Sequence, residues 1–295
     1  MVGLNKVCSS KIDIIIPYHC KDSDIFELCL AGCITNVRDL GRIYIVTSNT
    51  DLEFGDIEIV DEAELFDDGL TKFYVEAKLK KEFPELLWRS GWLFQQFIKM
   101  GCAYAIPNLS DYYLVVDADV VFLREVCFFH DERMLLAKSD EFHQPYFDFY
   151  ERFLGESSDS KTSFVAHHML ICKSIMLELL HNIEGRFNKS WYDAVIDNID
   201  GNNTLMFSEY ETYGHYCESH YPDKLTVRRL RNIQRFKMRS LLKILLNQAD
   251  YVTIHNYKKP ENNPKTNPHI YKLFLRLVKN KLRKQKGKNR ITAAQ

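Results

Sequence analysis

Apolar and polar positions alternate along this chain in two periods. Short β-branched runs at Ile12–Ile16, Arg42–Thr47 and Ile57–Val60 predict strands. Pro17 ends the first run, and the loop 18–22 leads to a helix with Ile25, Leu28, Cys29 and Cys33 on one side. Asp22 or Ser23 is placed to cap that helix. Trp92, Phe94, Phe97, Ile98 and Cys102 recur at helical spacing and predict a helix over 88–105. Strands are expected at Tyr112–Val116, Met134–Ala137 and Ser163–Cys172, with helices near 146–154, 174–182, 188–199 and 208–219. The polar run 155–160 reads as a loop, and Tyr251–Ile254 as a late strand. Strands alternating with helices in the first half imply an α/β fold, its mostly parallel sheet covered on both faces.

Composition is ordinary for a globular chain of 295 residues, with 46% hydrophobic and 13% aromatic residues. Charge changes the picture. Residues 1–227 hold 20 Lys and Arg against 38 Asp and Glu, whereas residues 228–295 hold 19 against 2. An acidic body with a basic end is suited to meet an anionic surface. Eight cysteines form no CxxC pair, no run is apolar and long enough to span a membrane, and the first residues lack the order of a signal peptide. These features point to a reducing, cytoplasmic compartment.

Asp117 and Asp119 interrupt an apolar stretch, between Tyr112–Val116 and Val120–Leu123. In an open α/β sheet, ligands gather where strands end. Two carboxylates at that place suit a hard divalent cation with open positions, Mn²⁺ or Mg²⁺, which would offset their desolvation. The alternative is an ordinary strand-end turn with two solvated aspartates.

The run Val115–Phe122 (VVDADVVF) resembles the DxD element of glycosyltransferases with the A-type (GT-A) fold. Ile12–Tyr18 resembles that family's first strand and nucleotide-contacting loop, and Tyr251–Asn256 its late strand with a metal-ligand histidine. Trp88–Phe97 is similar to a helix of bacterial capsule and lipopolysaccharide-type transferases. The resemblance covers roughly residues 10–257. It implies a GT-A (Rossmann-like) sheet flanked by helices, and a nucleotide-sugar donor, a UDP-sugar, held on a divalent metal. The acceptor would be a cell-surface glycan or a lipid-linked sugar.

The resemblance also implies roles. Asp119 would bind the metal, with Asp117 acting through ribose or a metal-bound water and His255 as a further ligand. Pro17, Tyr18, His19, Arg89, Gln95, Gln96, His167 and His168 are candidates for contacting the donor or acceptor. Glu209, with Glu211 behind it, would accept the acceptor's proton. Each has a plainer reading: Ser208 and Glu211 have the spacing of a helix capping box, a lone histidine is commonly a satisfied polar residue, and the glutamines and Arg89 are satisfied by backbone or water.

The pattern places one domain over 1–257, including a basic amphipathic helix over 228–247, and a basic tail over 258–295 with Ile270, Leu273, Phe274, Leu277 and Val278 at helical spacing. Such helices suit the anionic inner face of a membrane. Nucleic acid is not expected, for want of a stacking platform or an RNA-binding signature. Two other functions fit parts of the sequence. Asp117 and Asp119 also resemble the nucleophile motif of haloacid-dehalogenase-type phosphohydrolases, and the basic end alone fits a non-catalytic membrane-surface adaptor.

Overall fold

A computed structural model describes residues 11–158, 162–200 and 206–292. Its elements in chain order are β1 (Ile12–Pro17), α1 (Ser23–Asn36), β2 (Leu40–Thr47), β3 (Glu58–Asp61), α2 (Lys72–Glu82), α3 (Ser90–Ala105) and β4 (Tyr112–Val116). Then come β5 (Val120–Phe122), β6 (Phe129–His130), β7 (Arg133–Ala137), α4 (Gln144–Leu154), β8 (His168–Cys172), α5 (Lys173–Phe187), α6 (Trp191–Asp197) and α7 (Glu209–His220). The chain closes with β9 (Leu225–Arg228), β10 (Asn232–Ile233), α8 (Met238–Leu245), β11 (Tyr251–Thr253) and α9 (Pro268–Thr292).

The expected α/β class is what forms: the main sheet has the order β3-β2-β1-β4-β8. β2 pairs with β3 and β1 with β4 in parallel, while β8 runs antiparallel against β4. β1 is buried along its whole length, which explains its continuous β-branched run. Its one carboxylate, Asp13, is satisfied by the backbone N–H groups of Arg42 (2.8 Å) and Ser110 (3.0 Å) and by the Arg42 guanidinium (3.1 Å). The small third sheet β6-β7-β9 lies within the same unit.

The chain divides into two compact units that interleave in sequence. The first takes the residues up to Pro17, Gly41–Val116 and Phe129–Arg228; the second takes Tyr18–Leu40, Asp117–Phe128 and the chain from Arg229 onward. The second unit holds the sheet β10-β11-β5. Its apolar core joins Ile25 of α1, Val121 and Leu123, Val252 and Ile254, Leu241 and Ile244 of α8, and Tyr271, Phe274, Val278 and Leu282 of α9. Gly32 lets α1 lie against β5, since a Cβ there would sit 2.9 Å from the Phe122 backbone nitrogen.

Three expectations change. The continuous basic helix over 228–247 is instead β10 followed by the short α8, because Asn232 and Ile233 pair with Tyr251 and Val252. The helix expected from residue 88 starts at Ser90, with a 3-10 segment over Pro84–Arg89 before it. The strand expected over 163–172 is ordered as β8 only from His168; His167 takes a left-handed backbone (φ 62°), so the pair does not simply alternate across one strand. Asp159 and Ser160 of the expected polar loop fall outside the described residues.

Candidate functional site

The geometry around the aspartate pair is built by the register of the second unit's small sheet. β11 runs antiparallel to β5, with Thr253 opposite Val120. One step beyond this pair, the Ile254 N–H donates to the Asp119 carbonyl (2.9 Å). That bond ties Asp119 to the backbone just before His255, and His255 Nδ1 lies 3.3 Å from Asp119 Oδ2. Tyr257 stacks on the His255 ring at 5.2 Å and 14°. Asp119 Oδ1 is buried and finds no hydrogen-bond partner. A buried carboxylate oxygen left this way costs free energy unless something positive meets it.

Asp117 opens the tight turn into β5, its carbonyl accepting from the Val120 N–H at 3.0 Å. The Cys29 thiol points at the same carbonyl (3.8 Å). Asp22, expected as a helix cap, makes no side-chain capping bond to α1. It is buried instead, and burial pushes its carboxyl up to about 6. The charges of Asp119 and Asp117 push the same way, while Lys21 and Lys259 oppose them. Asp22 therefore shares the electrostatic surroundings of the pair, which the sequence alone did not signal. Lys259 Nζ is held by Asp24 (2.5 Å) and the Lys21 carbonyl (3.4 Å).

Tyr18 is buried and stacks on Phe26 at 4.1 Å. His19 is exposed and caps the 3-10 turn Cys20–Asp22 by accepting from the Lys21 N–H. Pro17, the last residue of β1, is buried. Among the described residues no three His, Cys, Asp or Glu side chains already converge as a metal-binding set. Asp119 and His255 by themselves fit a divalent cation that keeps several positions open for water or phosphate oxygens, one side chain offering a bare carboxylate oxygen and the other an imidazole.

In the first unit, the carboxylates expected to act as base are occupied. Glu209 is buried and accepts from Lys99 Nζ at 2.6 Å, with Tyr210 Oη 3.3 Å from the same ammonium. Gln96 Oε1 accepts from the Glu209 backbone N–H (3.1 Å), which leaves Gln96 Nε2 buried without a partner. Glu211 takes hydrogen bonds from Ser163 Oγ and the Phe164 N–H, and lies 3.1 Å from His215. Ser208 caps α7 at the Glu211 N–H, as the capping-box spacing anticipates. A lone lysine in the apolar stretch Leu93–Ala103 was the sequence signal for the Lys99–Glu209 pair, and the i, i+4 spacing of Glu211 and His215 was the signal for the other.

Gln95 is half-buried on α3. Arg89 stacks on Trp88 (4.1 Å) and Trp92 (5.5 Å), and its Nε is buried without a partner. With Trp92, Leu79, Leu86, Met206 and Phe207 it lines a mostly apolar pocket. His168, opposite Val116 in the sheet, is buried; His167 Nε2 stands 3.4 Å from Glu141.

Two solved structures similar to this chain are glycosyltransferases. The WbbM bifunctional glycosyltransferase in its apo form matches at 14% identity and a TM-score of 0.46 over 96% of this chain, and this chain covers 53% of it. The apo form of mouse xyloside xylosyltransferase 1 matches at 10% identity and a TM-score of 0.43, covering 84% of this chain and 98% of the other. Likeness at this level assigns no reaction. No curated protein matches the sequence. The model of a family of unknown function, DUF6492, matches residues 9–258, and the chain belongs to that family.

Proposed function

We propose that this protein is a metal-dependent glycosyltransferase, moving a sugar from a nucleotide-sugar donor, a UDP-sugar, to a glycan or lipid-linked acceptor. The observation that carries the reading is the buried, unpartnered Asp119 Oδ1 beside the stacked imidazole of His255. The DxD resemblance of Val115–Phe122 supports it from the sequence side. Asp119 and His255 would hold Mn²⁺ or Mg²⁺, with Asp117 at the same turn contacting ribose or metal-bound water. The bound cation would supply positive charge against the leaving diphosphate.

The chain's own residues have separate tasks. The β11–β5 register keeps Asp119 and His255 at a fixed spacing before any ligand arrives, so binding need not order them. Tyr257 lies stacked against the imidazole. Asp22 adds a carboxylate whose ionisation is disfavoured first by burial and then by the charges of Asp119 and Asp117, a cost that a cation would relieve. In the transfer, the bond from the anomeric carbon to the diphosphate breaks, a bond to the acceptor oxygen forms, and the hydroxyl's proton passes to the departing diphosphate or to water. Lys99 occupies Glu209, while Ser163, Phe164 and His215 occupy Glu211, so we assign the proton to neither.

The test is to incubate the purified full chain with Mn²⁺ and a panel of nucleotide sugars, and to follow released nucleotide by chromatography. The reading expects Mn²⁺-dependent release from at least one donor. Asp119→Asn should slow it about 100-fold, the scale of losing one preorganised charge-stabilising group. Release from no donor, or release at the same rate in the variant, would contradict it.

A further inference from the structure

The two C-terminal helices bury different fractions of their apolar side chains. On α9 the residues Tyr271, Phe274, Val278 and Leu282 are buried in the second unit's core. Its outward side carries Lys272, Arg276, Lys279 and Arg283, all exposed, at spacings of four, three and four residues. At about 100° per residue these four cations form a stripe along one face.

α8 differs. It buries Ser240, Leu241 and Ile244, yet leaves Met238 (64%), Leu242 (55%), Leu245 (61%) and Leu246, just beyond its end (56%), exposed. On a helical wheel these four fall within an arc of about 100°, separate from the buried side. Arg239 and Lys243, both exposed, border that arc, with Lys237 immediately before the helix. A helix with a core-facing side and a second, uncovered apolar side bordered only by cations has no use for the second side within its own unit.

We propose that α8 docks on an anionic lipid bilayer: Met238, Leu242, Leu245 and Leu246 enter the interfacial layer while Arg239, Lys243 and the α9 stripe meet acidic headgroups. Charge complementarity selects this occupant. A second copy packed through this same face would bring cations of the same sign against these, and the acidic residues that could balance them are sparse here, Asp250 and Glu261 being the two after residue 228. Apolar insertion gives a short helix its hold, and each nearby cation strengthens binding about fivefold at low salt. The proposal is independent of sugar transfer.

The experiment is vesicle sedimentation of the full chain, using phosphatidylcholine vesicles with and without phosphatidylglycerol, at low and high salt. Sedimentation is expected with the anionic vesicles only, weakening as salt rises. The double variant Leu242→Ser and Leu245→Ser should lose at least about tenfold in apparent affinity. The triple reversal Lys272→Glu, Arg276→Glu and Lys279→Glu should lose more, and it carries the test should the leucine variant fold poorly. Equal binding to neutral vesicles, no binding to either, or wild-type binding by the variants overturns the proposal. So does a dimer in light scattering that the leucine variant dissolves while vesicle binding is absent.

Discussion

Lys99 and Glu209 show how a single residue can answer a question the sequence poses. A lysine inside an apolar helical stretch must find a carboxylate, and here it is buried with Glu209 at 2.6 Å. Removing one partner leaves the other charged and buried, so Lys99→Met should cost about 3–5 kcal/mol in urea unfolding, and adding Glu209→Gln should recover much of it. His215 gives a pH-dependent counterpart. Burial lowers its pKa, yet the neighbouring carboxylates of Glu211 (3.1 Å) and Glu218 (3.7 Å) prevail and raise it, with Lys138 opposing. A raised histidine pKa stabilises the fold fully below its unfolded value, and that stability is lost as pH rises through the folded value. His215→Gln should therefore cost more stability near pH 6 than near pH 9, measured by urea unfolding at both. Asp22 was legible only as a cap. Its burial depends on where the loop after β1 turns, which composition and spacing do not encode.

Elements were more legible than residues. The runs at Ile12–Ile16, Tyr112–Val116 and Tyr251–Ile254 fold as strands because β-branched and aromatic side chains fill both faces of a buried sheet. The segment 228–247 was misread because its leucines satisfy a helical period, while the short β10 inside it is decided by pairing with β11, a tertiary contact that the period cannot report. The same pairing logic sets the candidate site, since the β11–β5 register places His255 beside Asp119. α9 matters at this scale too. Phe274 is fully buried, so Phe274→Ala should cost about 3–5 kcal/mol, read as a lower melting temperature. A merely appended tail would leave the melting temperature unchanged.

At the scale of the whole molecule, the charge asymmetry and the α/β class came through in the sequence, and so did the aspartate pair flanked by apolar runs. The interleaving of two units did not, because it rests on contacts between segments as far apart as α1, β5 and α9. The first unit supplies a largely parallel sheet; the second supplies the aspartates, the histidine and the basic helices. Those pieces give the second unit both the Asp119–His255 pair proposed to hold a cation and an uncovered apolar helix face. We propose that Asp119 and His255 hold a divalent cation, which in turn holds a nucleoside diphosphate. Isothermal titration of the full chain with UDP, with and without Mn²⁺, tests it most directly. UDP binding should require Mn²⁺ and disappear in Asp119→Asn while the fold is retained. Binding of equal strength without the metal, or in the variant, would contradict it, as would no binding of UDP in saturating Mn²⁺.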